Sequence, residues 1–148
     1  MDSEKILKDV KEILKKDIDK DEKLKIICEL LKDRVRHYDW VGFYLVKKGR
    51  LVLGPYVGEP TEHTDIDFGE GICGQAADME ETFRVQDVTK EDNYLSCSVD
   101  VRSELVVPIF KDGEVVGELD IDSHEESSFT DEDERLIEDI CEEVAEIL

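Results

Sequence analysis

The chain has few basic residues for its acidity. It contains 19 lysines and arginines against 40 aspartates and glutamates, which gives a net charge of −21 at pH 7. A nucleic-acid-binding surface needs the opposite sign, because the charges of the phosphates must be neutralised. An anionic membrane surface would repel this chain for the same reason. The composition therefore argues against nucleic acids and anionic membranes as partners.

Long apolar runs are also missing. No stretch approaches the roughly 18 residues that a membrane-spanning helix needs. The first residues, MDSEKILKDVKEILKK, hold no apolar segment typical of a secretory signal. These absences predict a cytoplasmic protein. In that compartment the four cysteines are expected to be reduced, catalytic or metal-bound rather than paired in structural disulfides.

The spacings typical of zinc sites do not occur. The sequence has no Cys-x-x-Cys pair and no His-x₃-His pair. A metal site could be built from His63, Cys73 and Cys97, but no spacing supports it, and we expect no bound metal. His37 and His124 are expected to be surface residues.

Hydrophobic periodicity predicts the elements of one domain, which suits 148 residues. Helical spacing recurs over residues 3–18, from about Asp21 to Arg36, and after the helix-cap signal at Thr130. A short helix is predicted near residues 72–79. Period-two or β-branched stretches predict strands over residues 40–46, 51–57, 82–88, 104–110 and 114–121. This order predicts an α+β domain, an antiparallel sheet with the N- and C-terminal helices packed on one face.

Turn signals connect these strands. Asp112-Gly113 suits a type I′ turn, so the last two strands are predicted to form a hairpin. Gly54-Pro55 is predicted to end regular pairing in its strand. The stretch GEGICG (69–74) matches a dinucleotide-binding pattern, but that site needs a parallel βαβ unit. Because its neighbours are predicted to be antiparallel, we interpret these glycines as a turn into the short helix.

The cysteines fall into two groups. Cys28 and Cys141 lie on the apolar faces of predicted helices and are interpreted as core residues. Cys73 is predicted near a helix start, outside any apolar stripe, where free amides and the helix dipole favour a thiolate. Cys97 lies in a polar loop that suits a reactive, accessible thiol. The alternatives are a small residue in a tight turn for Cys73 and an incidental surface thiol for Cys97.

Three acids are predicted to meet on the sheet. Asp120 and Asp122 are two residues apart on one strand, so their side chains share a face, while Leu119 and Ile121 face the other way. Glu104 opens the neighbouring strand and could lie close to them. Grouped acids can bind an ammonium group, or one acid can hold a proton and donate it. An ordinary solvated strand face is the alternative.

Together these motifs resemble the GAF domain, and specifically the free methionine-(R)-sulfoxide reductases. The resemblance covers roughly residues 20–148, which implies a single GAF domain over residues 1–148 with residues 1–20 as an N-terminal helical extension. The matching segments are WVGFYL (40–45), LVLGPYVGEP (51–60), GEGICG (69–74), QDV (86–88), Cys97, SELVVPI (103–109), GELDIDS (117–123) and FTDEDERLIEDI (129–140).

The resemblance implies an enzyme that reduces free methionine-(R)-sulfoxide, with no bound cofactor. It implies a thioredoxin-type dithiol as the electron donor and a homodimer as the assembly. The implied substrate-binding residues are aromatic positions for the methyl end, acids for the polar groups and one further pocket position: Trp40, Tyr44, Glu104, Asp120, Asp122 and Asp87. Glu104 is also an implied proton donor.

The resemblance assigns redox roles to two cysteines. It implies Cys97 as the nucleophile and Cys73 as the resolving cysteine, while His63 stands where the family often carries a third cysteine. The free amides and the dipole at a helix N-terminus instead favour Cys73 as the more reactive thiolate. We predict that Cys97 attacks, because its loop gives access to the pocket. A non-enzymatic GAF module that senses a small ligand or the redox state is the alternative function, and a zinc-bound structural domain is a third.

Overall fold

The computed structural model describes residues 1–91 and 100–148, and its elements follow the predicted order, with one additional short strand before the third helix. Cys97 lies outside the described residues. The helices of the described part are α1 Ser3–Leu14, α2 Lys20–Arg34, α3 Gly71–Met79 and α4 Asp131–Ala145, with a short 3₁₀ helix at Val88–Lys90. The strands are β1 Trp40–Lys47, β2 Arg50–Val57, β3 Asp65–Asp67, β4 Phe83–Val85, β5 Ser103–Lys111 and β6 Glu114–Ser123.

The described strands form one antiparallel sheet. Their spatial order is β3-β2-β1-β6-β5-β4, and every neighbouring pair runs antiparallel. The predicted α+β class is therefore confirmed. The described part contains no parallel pair, which agrees with rejecting a dinucleotide site at GEGICG.

The sheet separates two apolar layers. On one face α1, α2 and α4 pack together over inward-facing residues such as Leu119 and Ile121, as predicted. On the other face α3 packs against β5, β6 and β3 over a smaller cluster that includes Trp40 and Tyr44. Because strand side chains alternate between faces, Asp120 and Asp122 point toward α3.

The first helix and the fourth strand are shorter than predicted. α1 ends at Leu14 rather than near residue 18, and Asp19 already caps the next helix by accepting a hydrogen bond from the Glu22 amide at 3.0 Å. β4 ends at Val85 rather than Val88, because the chain turns into the 3₁₀ helix. Side-chain capping contacts thus end α1 and β4 earlier than the apolar pattern predicts.

Regular pairing between β2 and β1 is interrupted at Gly54-Pro55, as predicted, and the strand continues to Val57. Pairing with β1 resumes beyond the proline, where Tyr56 pairs with Gly42, and the register shifts between Gly42 and Tyr44. Proline has no amide hydrogen to donate, and a bulge accommodates it without ending the strand.

The predicted hairpin and helix cap are confirmed. Asp112 and Gly113 both have positive φ angles, 54° and 81°, as a type I′ turn requires. Thr130 caps α4 in a reciprocal capping box with Asp133. None of the described helices combines the length and the apolarity that crossing a bilayer would require.

The two histidines expected at the surface differ. His124 is exposed, as predicted. His37 is partly buried: its Nε2 lies 3.0 Å from Oδ1 of Asp133, and its ring packs against Tyr38 and Phe129. The surface prediction for His37 was wrong, because the buried capping residue Asp133 offers it a polar partner.

Candidate active site

Three acids meet on the α3 face of the sheet. Glu104 on β5 pairs with Asp122 on β6, and Asp120 lies two residues along the same strand. Glu104 is 3% exposed, and Asp120 and Asp122 are each 1% exposed. The predicted meeting of these acids is confirmed, and the alternative of a solvated strand face is wrong because α3 covers them.

Cys73 lies in the first turn of α3, over these acids. Gly69 and Gly71 adopt positive φ angles of 90° and 67°, which lets the chain turn sharply from β3 into the helix. The Cys73 thiol donates to Oε2 of Glu104 at 3.9 Å and is only 6% exposed. The prediction that Cys73 lies outside any apolar stripe was wrong, since it packs within the smaller apolar cluster beside Ile72.

Burial dominates the electrostatics of the acids. It raises the pKa of Glu104 well above its usual range, and the charges of Asp120 and Asp122 raise it further. Burial also raises the pKa of Asp120, while hydrogen bonds with Glu104 and Cys73 oppose that rise. Like charges so close together favour a proton on one of the acids, and burial together with the charges of both aspartates favours that proton on Glu104.

A small cavity of about 10 Å³ opens between α3 and the sheet, room for one water-sized species. The described residues lining it include none with a lysine or arginine side chain. The wall of the cavity is acidic, because the carboxyl groups of Glu104 and Asp120 line it. Its described lining includes Tyr44, His63, Ile72, Cys73, Glu104 and Asp120.

Aromatic side chains form the neighbouring surface. Tyr44 donates its hydroxyl hydrogen to the His63 carbonyl at 2.8 Å. Trp40 donates its indole N–H to the Glu59 carbonyl at 2.9 Å and stacks on Tyr56 with ring centroids 5.5 Å apart. Tyr44 lines the cavity, whereas Trp40 lies farther along the same apolar cluster.

Sequence reasoning missed Gly42, which lies between Trp40 and Tyr44 on β1 and pairs with Asp120. A Cβ atom at this position would lie 2.4 Å from Cη2 of Trp40 and 2.8 Å from Cβ of Tyr56. The lack of a side chain thus allows the indole to lie across the strand. A glycine inside a strand pattern is the signal that could have indicated such a close approach.

A fourth buried acid, Glu118, was also missed. It lies on β6 two residues before Asp120, is fully buried, and neither carboxylate oxygen accepts a hydrogen bond from the described residues. Burial raises the pKa of Glu118 well above its usual range, with a further contribution from the charge of Asp120. The period-two alternation that indicated Asp120 and Asp122 could have indicated Glu118 as well.

Asp87 is not among the described residues that line the cavity. Its carboxylate accepts hydrogen bonds from the amide and the hydroxyl of Thr89, at 3.0 and 2.6 Å. These bonds lower its pKa, the Thr89 hydroxyl contributing most. Asp87 therefore caps the 3₁₀ helix, and its pocket role stays a prediction, as does the role of Cys97.

The described site combines a thiol, an acid whose pKa is raised and a second buried carboxyl group within a few ångströms. One ligating atom each from Cys73, Glu104 and Asp120 lies within 4.8 Å of the other two. Such a group can bind a cation or supply a proton to an oxygen, and the thiol can exchange with a disulfide.

The amino-acid sequence is similar to those of known proteins. The family model for the GAF domain matches residues 17–148. GAF domain-containing protein A of Dictyostelium discoideum is 40% identical over 115 residues, which cover 77% of this chain and 72% of that protein. The free methionine-R-sulfoxide reductase of Escherichia coli K12 is 35% identical over 119 residues, which cover 80% of this chain and 72% of that enzyme.

A solved structure shows the same architecture. The free methionine-R-sulfoxide reductase of Neisseria meningitidis, determined in complex with its substrate, superposes with a TM-score of 0.91 at 34% identity. The superposition covers 97% of this chain and 86% of that chain.

Proposed function

The chain belongs to the GAF domain family and, within it, to the free methionine-(R)-sulfoxide reductases, and from this membership we propose that it reduces free methionine-(R)-sulfoxide to methionine. The carrying observation is the buried contact between the Cys73 thiol and Glu104, 3.9 Å apart, beside Asp120. It combines a redox-active sulfur, a proton donor and an anionic group for substrate binding in one site.

Recognition of the free amino acid rests on the acids. The α-ammonium group of the substrate pairs with Asp120 and Asp122, whose burial strengthens the interaction because little water screens it. A methionine sulfoxide residue inside a peptide has no such ammonium group, and its amide would leave these carboxyl groups uncompensated. Trp40 and Tyr44 supply the apolar surface for the methyl end.

The chemistry we propose begins with the Cys97 thiolate, which attacks the sulfoxide sulfur. Glu104 supplies the proton that the sulfoxide oxygen needs as the S–O bond breaks. The oxygen ends on the cysteine as a sulfenic acid, two electrons pass from that cysteine to the substrate sulfur, and methionine leaves.

Regeneration uses the second cysteine. The Cys73 thiol attacks the sulfenic acid, which forms a Cys73–Cys97 disulfide and releases the oxygen as water. A thioredoxin-type dithiol then reduces this disulfide by thiol–disulfide exchange and is itself oxidised. No bound cofactor is needed for any step.

The surroundings of Cys73 support its role as the resolving cysteine. Thiolates are stabilised beside cationic groups, whereas Cys73 donates its hydrogen to Glu104 and has Asp120 nearby. A negative charge on the Cys73 sulfur would lie beside Asp120, and this repulsion opposes the effect of the helix N-terminus. The attacking thiolate is therefore assigned to Cys97.

The deciding experiment is a turnover assay on the purified chain with thioredoxin, thioredoxin reductase and NADPH. We expect NADPH oxidation with free methionine-(R)-sulfoxide, and none above background with the S epimer or with a sulfoxide-containing peptide. Equal rates on the peptide would contradict the recognition model. No turnover on the free R epimer, with correctly folded protein, would support a sensory GAF module instead.

The same preparation tests the proposed partner and assembly. Replacing thioredoxin by another dithiol protein compares reductants. The homodimer that the family resemblance supports predicts twice the chain mass in sedimentation equilibrium, and a monomer mass would contradict it.

A further inference from the structure

We propose that Cys73, Glu104 and Asp120 form a binding site for a thiophilic divalent cation of the Zn²⁺ type, and that this cation competes with the substrate. The proposal that an ion binds depends only on the geometry of the described residues. The competition rests on the proposed function, because it requires the substrate ammonium to occupy the same acids.

The donor set is the first observation. The three residues offer one sulfur and two carboxylate oxygens, all buried and all within 4.8 Å of one another. With Zn–S near 2.3 Å and Zn–O near 2.1 Å, tetrahedral coordination places sulfur and oxygen about 3.6 Å apart. The observed separation between Sγ of Cys73 and Oε2 of Glu104 is 3.9 Å. The site therefore needs only small side-chain movements to close on an ion.

Uncompensated polar atoms are the second observation. Oε1 of Glu104 and Oδ1 of Asp120 are buried, belong to residues that line the cavity, and accept no hydrogen bond from the described residues. Buried carboxyl oxygens normally have a donor or a metal ion. No lysine or arginine is among the described residues of the lining to serve as that partner. A cation bound between the two carboxyl groups would place the missing positive charge beside both oxygens.

The chemistry of the donors selects the ion. A cysteine sulfur favours Zn²⁺ or Cd²⁺ over Mg²⁺ and Ca²⁺, which prefer oxygen ligands only and higher coordination numbers. The cavity, about 10 Å³, also suits one bare ion rather than an ion with several water ligands. On binding, the S–H bond of Cys73 and the O–H bond of Glu104 break, sulfur–metal and oxygen–metal bonds form, and both protons leave to solvent.

Occupation of this site has two consequences for the proposed reaction. The ion holds the sulfur of Cys73, so that cysteine cannot resolve a sulfenic acid. It also occupies Asp120, so the substrate ammonium loses one of its two proposed partners, and it occupies Glu104, the proposed proton donor. The expected inhibition is reversible by a chelator and weakens as substrate concentration rises.

The test is a direct titration of the reduced chain, kept reduced with a phosphine, with Zn²⁺ against a chromophoric chelator. We expect one ion per chain and no comparable binding of Mg²⁺. Cys73→Ser, Glu104→Gln and Asp120→Asn should each weaken binding by roughly tenfold or more. The matched control is Glu118→Gln, a buried acid on the same strand face outside the donor set, which should bind like the unmodified chain.

Cd²⁺ provides an independent readout. We expect the thiolate-to-cadmium charge-transfer absorption of one thiolate per ion, and its loss in Cys73→Ser. Absence of this band in the folded, unmodified chain would overturn the proposal even if a variant failed to fold. Unchanged Zn²⁺ affinity in Cys73→Ser and Glu104→Gln would also overturn it, because the ion would then sit on the acidic surface. Inactive protein that binds Zn²⁺ as expected would contradict the proposed function and leave the ion site supported.

Discussion

The thiol of Cys73 contacts Oε2 of Glu104 at 3.9 Å, although 31 positions separate the two residues in the chain. The contact joins the first turn of α3 to the first residues of β5, across the face of the sheet. It places a sulfur that can exchange electrons beside an acid whose pKa is raised. The proposed cycle uses both, because Glu104 protonates the departing oxygen and Cys73 resolves the sulfenic acid that forms on Cys97.

Glu104→Gln should lower kcat/KM for free methionine-(R)-sulfoxide by roughly 10²-fold or more, because the amide cannot supply the proton that the departing oxygen needs. Steady-state assays with thioredoxin as the reductant measure this decrease in kcat/KM. The control is Glu114→Gln, an exposed acid at the far end of the same hairpin, which should leave the rate unchanged. Full activity in Glu104→Gln would remove Glu104 from the chemistry.

Cys73→Ser should abolish multiple turnover but leave one stoichiometric methionine per chain in a single turnover. The physical reason is that Cys97 still attacks the sulfoxide, while its sulfenic acid has no resolving thiol. Rapid quench and quantification of methionine check this. Cys97→Ser, tested in parallel, should form no methionine. A reversed pattern would exchange the roles of the two cysteines.

Gly42→Ala should reduce stability by about 1–3 kcal/mol, because the added methyl group overlaps the Trp40 ring and must displace it. We also expect a lower kcat/KM, since the displaced indole is part of the proposed substrate surface. Thermal unfolding and steady-state kinetics measure the two effects. The comparison variant is Gly54→Ala on β2, where the nearest atom is the Phe43 carbonyl oxygen at 3.2 Å, and its loss should be smaller. Equal losses would show that the contact with Trp40 is not decisive.

Glu118→Met should stabilise the fold. The buried carboxyl group accepts no hydrogen bond from the described residues, and an apolar side chain of similar size removes the cost of burying it. The expected gain is about 1–2 kcal/mol, which corresponds to roughly 2–8 °C in Tm for a domain of this size. Glu114→Met at the exposed end of β6 is the control and should change little. A lower Tm for Glu118→Met would mean that the buried acid contributes favourable interactions.

Periodicity alone predicted much of the fold. The alternation in β6 placed Leu119 and Ile121 on one face and Asp120 and Asp122 on the other, and the structure agrees. Asp112-Gly113 predicted the turn that sets the register of this hairpin. These features are local, because a residue's side-chain direction and its turn conformation depend mainly on its near neighbours.

The bulge in β2 and the contact of His37 with a capping residue could not be predicted from periodicity. The pattern predicted β2 over residues 51–57 with a break in pairing at Gly54-Pro55, but it could not show that pairing with β1 resumes at Tyr56, because a bulge depends on the partner strand. It also could not show that Asp133 draws His37 inward, since those residues are 96 positions apart. Both cases depend on a contact that forms only when distant segments meet.

The sequence by itself determined which residue types were available for the chemistry and which of them share a strand face. It also carried the family motifs that pointed to free methionine sulfoxide. Only the tertiary structure decided that the acids are buried, that Cys73 lies among them, and that Glu118 joins them. The reason is that burial depends on what covers a strand face. Here the cover is α3, a helix distant in sequence, and its packing turns an acidic strand into an enclosed site.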